Sequence, residues 1–398
     1  MLLPLVCYCP IPVLGSPPAL AQMAEPAEDG LEEIIVTGER NRRSLFETPS
    51  SVAVVSGAEL EDQPELSNVE EWLASVPNVQ GGSGSQGPTI RGQDSTGVLQ
   101  GVPAFLGGAR PRVTLQVDGR AVGSNEFLFG AAPLWDVRRV ELFRSPQTTT
   151  QGRNSIGGAI FVTTNHPTFN WESSARMLTG SFGTQDAAAV LSGPVVGDRI
   201  AFRLAGQLRV GRSSVDTADR LLDADPNRTH LGLLRLKLLA YPGAAKRVRL
   251  ELTLVHQKTQ LPQTETVRPP FRRRRDPVGA FGTFATRLNS ATATASYTPD
   301  ARFDAAATIA FGDAHIRRYA PPGLGETVTR SRDASAEAIA RWHDQRGRHL
   351  LLGGSLVQTR LHQHIDLSRL IGIGDFDDVQ ASFVSSPKAD SRSLTASR

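Results

Sequence analysis

The sequence predicts an α+β domain followed by an incomplete antiparallel transmembrane β-barrel, with roughly nine strands where a barrel enclosing an inner domain has about 22. Three observations carry that reading. Helix signals are confined to residues 45–168, and strands of barrel length with alternating apolar and polar residues take over from about 171. The connections between those strands alternate short with long, the order of periplasmic turns and extracellular loops.

Composition sets the outer bounds. A chain of 398 residues with 39% hydrophobic and 21% charged residues falls in the globular range. It contains no run of apolar residues long enough for a membrane helix, a test that a β-barrel escapes by placing its membrane face on alternate residues. Lys and Arg total 43 against 40 Asp and Glu, so the net charge of +3 implies no nucleic-acid partner. Cys7 and Cys9 are the only cysteines. Both lie in a stretch, residues 1–21, that reads as a signal peptide ending in Ala19-Leu20-Ala21, the small-x-small pattern of a cleavage site.

Residues 22–44 form a flexible tether of Glu, Asp, Ala and Pro around one β-branched island, Ile34-Ile35-Val36-Thr37. In the α+β domain, 45–168, Val52-Ala53-Val54-Val55 is a strand, and Ser56 with Glu59 three residues on is a capping box. Ser67-Asn68 caps a second helix that places Val69, Trp72, Leu73 and Val76 on one face, and Pro77 stops it. Residues 113–117 and 120–122 read as a hairpin, because Asp118-Gly119 readily takes the positive φ of a two-residue turn. In the barrel region, 171–398, Ile200, Phe202, Leu204, Leu208 and Val210 share one face and Arg203, Gln207 and Arg209 the other. Val248, Leu250, Leu252 and Leu254 repeat the pattern against Arg249, Glu251 and Thr253. A soluble sandwich gives the same alternation, so the connections decide: short turns at 193–198, 241–246, 298–300 and 344–348 against long stretches at 212–228, 258–286 and 313–333. Gly180 to Thr184 is short where a long connection is expected. The tail from Ser385 to Arg398 reads as polar, without a closing strand.

Several segments resemble the TonB-dependent outer-membrane receptors, over residues 32–168 in motif and 171–360 in layout. Glu33, Ile34, Ile35, Val36, Thr37 and Gly38 resemble the TonB box, and a β-branched strip on a tether suits strand addition to a partner's sheet edge. Thr89-Ile90-Arg91-Gly92 is similar to the Ile-Arg-Gly strand of the family's plug domain. Val137 to Pro146, followed by Gly152 to Thr164, is the most specific match; Ser145 and Thr148 to Gln151 depart from its pattern. The resemblance implies that Arg91 and Arg144 join a plug–barrel charge cluster with barrel glutamates, which would lie beyond Arg398. It also implies that Gln80, Phe127 and Phe129 face the ligand from plug loops, although Phe127 and Phe129 suit a core position equally well. The partners implied are the TonB energy-coupling protein of the inner membrane, outer-membrane lipid, and a ferric siderophore or similar small ligand. The expected function is TonB-dependent uptake of a scarce nutrient with the plug gating the barrel; the alternative is a truncated, non-transporting remnant or a surface-binding protein.

Other chemistry finds little purchase. Gly82 to Gly87 satisfies G-x-G-x-x-G, but Pro88 and a β-like segment follow where a dinucleotide fold needs a helix. Nucleophile-elbow, P-loop and zinc-protease motifs are missing, so neither an enzyme nor a cofactor is expected. His362, His364, Asp375, Asp377 and Asp378 lack companion ligands at metal spacing. The Arg272-Arg273-Arg274-Arg275 run reads as a solvated extracellular loop, with anionic chelates or lipopolysaccharide phosphates as its other possible partners.

Overall fold

A computed structural model of the chain describes residues 50–82, 87–95, 112–147, 155–218, 223–279, 282–321, 325–343 and 349–366. It also gives the backbone of four short strands, Cys7–Tyr8, Ile35–Val36, Arg43–Ser44 and Lys388–Ser397. Among the described residues, no helix is long and apolar enough to cross a membrane.

The inner domain contains β1 (Val52–Ser56), α1 (Gly57–Glu61), α2 (Val69–Ser75), β2 (Val79–Gln80), β3 (Thr89–Ile90), β4 (Gln93–Asp94), β5 (Val113–Val117), β6 (Arg120–Ala121), α3 (Ser124–Phe129), β7 (Val137–Phe143) and β8 (Gly158–Thr164). Five strands form one sheet in the order β1-β7-β8-β5-β6, antiparallel except for the β8–β5 pair. The helices are too short to persist alone; caps and core hold them. Ser56 Oγ accepts from the Glu59 N–H at 3.2 Å, and the Glu59 carboxylate accepts from the Ser56 N–H at 2.7 Å. Asn68 Oδ1 accepts from the Glu71 N–H at 3.0 Å. Val69, Trp72, Leu73 and Val76 all face inward, packing with Ile90, Val140, Leu142 and Ile160 into one apolar core. Asp118 and Gly119 turn the β5–β6 hairpin at φ 47° and 83°, as their residue types require. At the start of β8, Gly158 sits at φ 140°, where a Cβ would lie 2.4 Å from the Phe143 carbonyl oxygen. That contact accounts for a glycine at this point of the motif.

The wall around this domain is an antiparallel meander: β9 (Glu172–Thr179), β10 (Gln185–Val196), β11 (Ile200–Arg212), β12 (Arg228–Ala240), β13 (Val248–Pro262), β14 (Thr283–Asp300), β15 (Phe303–Tyr319), β16 (Glu326–His343) and β17 (His349–Asp366). These nine strands form an open sheet. The wall is inside-out relative to a soluble sheet. Leu208 and Leu234 are 53% and 51% exposed on its outer face, whereas Arg203, Gln207, Arg235 and Lys237 are buried toward the inner domain. A sandwich does the reverse, so the alternation seen in the sequence belongs to a barrel.

Four stretches differ from expectation. The stretch 313–333 is mostly strand, since β15 runs to Tyr319 and β16 begins at Glu326; 258–286 contracts likewise to a connection between Pro262 and Thr283. Beyond the apolar band both faces of a strand are polar, so hydropathy fails while backbone pairing continues. The Lys388–Ser397 segment, expected as polar tail, pairs with β17 as a further strand, β18. Cys7–Tyr8, within the expected signal peptide, pairs with Met177 and Arg176 of β9.

Candidate functional site

The site with the densest chemistry is the seam between the inner domain and the wall. Three turns of the inner domain supply carboxylates and carbonyls, and inward-facing positions of β11–β16 supply cations, two carboxylates and neutral donors.

The hairpin turn brings one contact. Asp118 accepts hydrogen bonds from the Thr164 N–H at 2.9 Å and its hydroxyl at 2.6 Å, and lies 3.3 Å from Lys237 Nζ. Burial alone would push its carboxyl up, but Lys237, Arg235 and the two Thr164 bonds outweigh burial and hold it below the usual carboxylate range. Lys237, 1% exposed, also approaches Glu251 at 3.2 Å and donates to the Thr164 carbonyl at 3.4 Å. Glu251 in turn meets His166 at 3.0 Å and Arg249.

A second contact is the turn before β7, where Asp136 has φ 59°. Its carboxylate takes the Arg203 guanidinium as a fork, with Nε 3.0 Å from both oxygens and Nη2 2.6 Å from Oδ1. Asn165 Nδ2 donates to the same carboxylate at 2.9 Å. Arg235 donates to the Trp135 carbonyl at 3.2 Å, and the Trp135 ring nitrogen donates to the Ala189 carbonyl at 3.3 Å. Within the inner domain Arg120 binds the Glu126 carboxylate through both Nη atoms, and across the seam it lies 3.5 Å from Asp333 of β16. Gln257 and Thr286 donate to the Ala131 and Phe129 carbonyls at 2.6 and 2.8 Å. Between these bonds lies a cavity of about 50 Å³, lined by Leu115, Arg120, Phe127, Arg235 and Thr292 among others, which is room enough for water beside polar partners.

The expected site residues fall elsewhere. Phe127 and Phe129 are buried, the core placement of their two readings: Phe127 belongs to the apolar core, and Phe129 stacks on Phe284 of β14 at 4.1 Å. They sit on α3, and a six-residue helix pressed between core and wall turns its aromatics inward where a free loop would not. Gln80 is exposed at the end of β2. Arg91 and Arg144 both lean on the turn after α2: the Arg91 N–H donates to the Asn78 carbonyl at 2.9 Å, and Arg144 Nη1 donates to the Pro77 carbonyl at 3.1 Å. Arg91 is solvent-exposed, and Arg144 Nε is buried without a hydrogen-bond partner. Ile35 and Val36 pair antiparallel with Ser44 and Arg43, while Glu33, Ile34, Thr37 and Gly38 lie outside the described residues, as do Asp375, Asp377 and Asp378. In the arginine run, Arg275 pairs with Asp216 at 3.0 Å and Arg274 donates to the Ser214 carbonyl at 2.8 Å, so two of the four tie neighbouring loops together and are not simply solvated.

Sequence reasoning missed the seam. Its signal was present as charges at inward positions of otherwise apolar strands, such as Arg235 and Lys237 among five leucines between Leu233 and Leu239.

Residues 44–159 match the TonB-dependent Receptor Plug Domain. The chain is 26% identical over 202 residues to the iron-regulated outer membrane virulence protein of Vibrio cholerae, covering 49% of this chain and 30% of that one. It is 26% identical over 224 residues to the ferrioxamine B receptor of Salmonella typhimurium, covering 54% and 30%. In structure it resembles the ferric yersiniabactin uptake receptor of Yersinia pestis, with a TM-score of 0.70 at 17% identity, covering 89% of this chain and 62% of that one. It also resembles the ferripyoverdine receptor of Pseudomonas aeruginosa, with a TM-score of 0.68 at 14% identity, covering 91% and 51%. The chain thus spans under a third of the length of these curated relatives.

Proposed function

We propose, on the premise that this chain carries a TonB-dependent receptor plug domain and the opening strands of the outer-membrane barrel around it, that the protein admits a scarce nutrient when its plug is drawn from the wall. The cargo we assign is a ferric siderophore, in keeping with the ferric yersiniabactin and ferrioxamine B of the relatives' names. The observation that carries the reading is the polar seam. An apolar interface dragged into water costs about 25 cal/mol for each Å² exposed, whereas a hydrogen bond exchanged for water costs only about 1 kcal/mol net. Ion pairs between Asp118, Asp136, Arg203 and Lys237 hold the plug in register, yet water can replace each of them once the plug shifts.

The pull is assigned to the TonB protein, adding the strip Glu33 to Gly38 to its own sheet edge. Arg91 and Arg144 are assigned to a charge cluster with barrel carboxylates, and Gln80 to ligand contact. The test is growth of a strain lacking the complete gene on single ferric chelates as sole iron source. A defect on one chelate is expected, restored by the gene but not by a version with Ile35→Pro, since proline cannot donate to a sheet ladder. Normal growth on every chelate would remove iron from the reading; rescue by the Ile35→Pro gene would remove the TonB step.

A further inference from the structure

The outer face of the wall changes character part-way along its strands. On β15, from its short-turn end, the outward side chains are Phe303, Ala305, Ala307, Ile309 and Phe311, and then Asp313, His315 and Arg317. The neighbouring strands switch in register, from Ala334 to Arg332 on β16 and from Leu356 to Gln358 and Arg360 on β17. Just above the switch, one cross-strand row holds Lys258, Arg287, His315, Arg330 and His362, each directly opposite the next on β13 to β17. With strands about 4.8 Å apart, the row is about 19 Å long.

Like charges directly opposite one another destabilise a sheet. The row beside it, His256, Asn289, Asp313, Arg332 and Arg360, offers little relief. Its one carboxylate, Asp313, lies 3.6 Å from Arg332 and is 56% exposed. Five permanently cationic side chains therefore share an outward strip with a single acid. The opposite end of the same face is apolar and aromatic, with Tyr297 and Trp342 exposed, so the charge belongs to the long-loop end, where hydrocarbon gives way to headgroups of the outer leaflet.

We propose that this row is a docking surface for the phosphorylated glycolipid of the outer leaflet, lipopolysaccharide, with lipid A phosphates lying across Arg287 and Arg330. Guanidinium forks take phosphate oxygens in pairs, and an anionic ligand relieves the repulsion along the row. The proposal rests on the outer-membrane reading of the wall.

It is tested by purifying the complete receptor from outer membranes in mild detergent and adding bis-phosphorylated lipid A, dephosphorylated lipid A or phosphatidylethanolamine, with bound lipid read by native mass spectrometry. Wild type is expected to retain bis-phosphorylated lipid A over the other two, and the Arg287→Gln/Arg330→Gln protein to retain at least fivefold less. Arg272→Gln/Arg273→Gln, which removes the same charge from a loop, should retain it fully. Equal retention by wild type and the row variant, or equal binding of the dephosphorylated lipid, overturns the proposal and leaves the barrel reading standing. A receptor absent from the outer-membrane fraction overturns both.

Discussion

The interior of the plug and its junction with the barrel wall are both buried, yet they are built from opposite chemistry. Inside the plug, Val140, Leu142 and Ile160 are fully buried among apolar neighbours. At the junction, buried groups of similar size are Arg203, Lys237, Asp136 and Thr164, tied by hydrogen bonds and ion pairs. Apolar packing resists exposure in proportion to area and asks for no particular partner. A polar contact is specific about geometry but is readily traded for water. On the function proposed above, a domain built this way should come off its wall before it comes apart.

Pulling on the tether ahead of residue 44 should therefore give two events, release of the plug and then unfolding, and substitutions can be sorted by which event they move. The largest effect is expected from Arg203→Met, which strands the Asp136 carboxylate in the seam and weakens docking by about 4 kcal/mol; a drop in the first force peak with the second unchanged is the expected record. Leu142→Ala should do the opposite, lowering the second event and the urea midpoint of the plug by about 3 kcal/mol while docking is kept. If both substitutions move the same event, the two regions are one cooperative unit and the contrast fails.

Smaller effects sharpen the comparison. Adding Asp136→Asn to Arg203→Met leaves no buried charge, and asparagine tolerates the left-handed φ at that position. The double variant should recover to within about 1 kcal/mol of wild type. Phe129→Leu removes a ring stack on Phe284 and should cost docking about 1 kcal/mol. Acid should act last. Because the Asp118 carboxyl is held below its ordinary value in the folded state, the stability it contributes is present above about pH 4 and is lost as pH falls through that depressed value. Protection of the plug from protease should be flat from neutral to about pH 5 and fall only below; loss already at neutral pH would take the latch away from Asp118.

Much of the fold was legible along the chain. The Ser56–Glu59 box, the stripe of Val69, Trp72, Leu73 and Val76, and the Asp118-Gly119 turn each act within a few residues, and each stands in the structure as read. The period-two strands were equally plain. Local pattern runs out in two places: Phe127 and Phe129 follow a hairpin and suit loop or core alike until the helix is seen, and the strands beyond the apolar band lose their hydropathy signal although their backbones stay paired.

The sequence by itself determined that an α+β domain precedes a meander of long strands, because turn, cap and alternation signals depend on neighbours in the chain. It could not say which face of those strands meets lipid, nor that Asp118 would find Lys237 and Asp136 would find Arg203. Such pairs are separated by many residues and meet only when the wall curves around the plug, and the cost of burying a charge falls only when its partner is already in place.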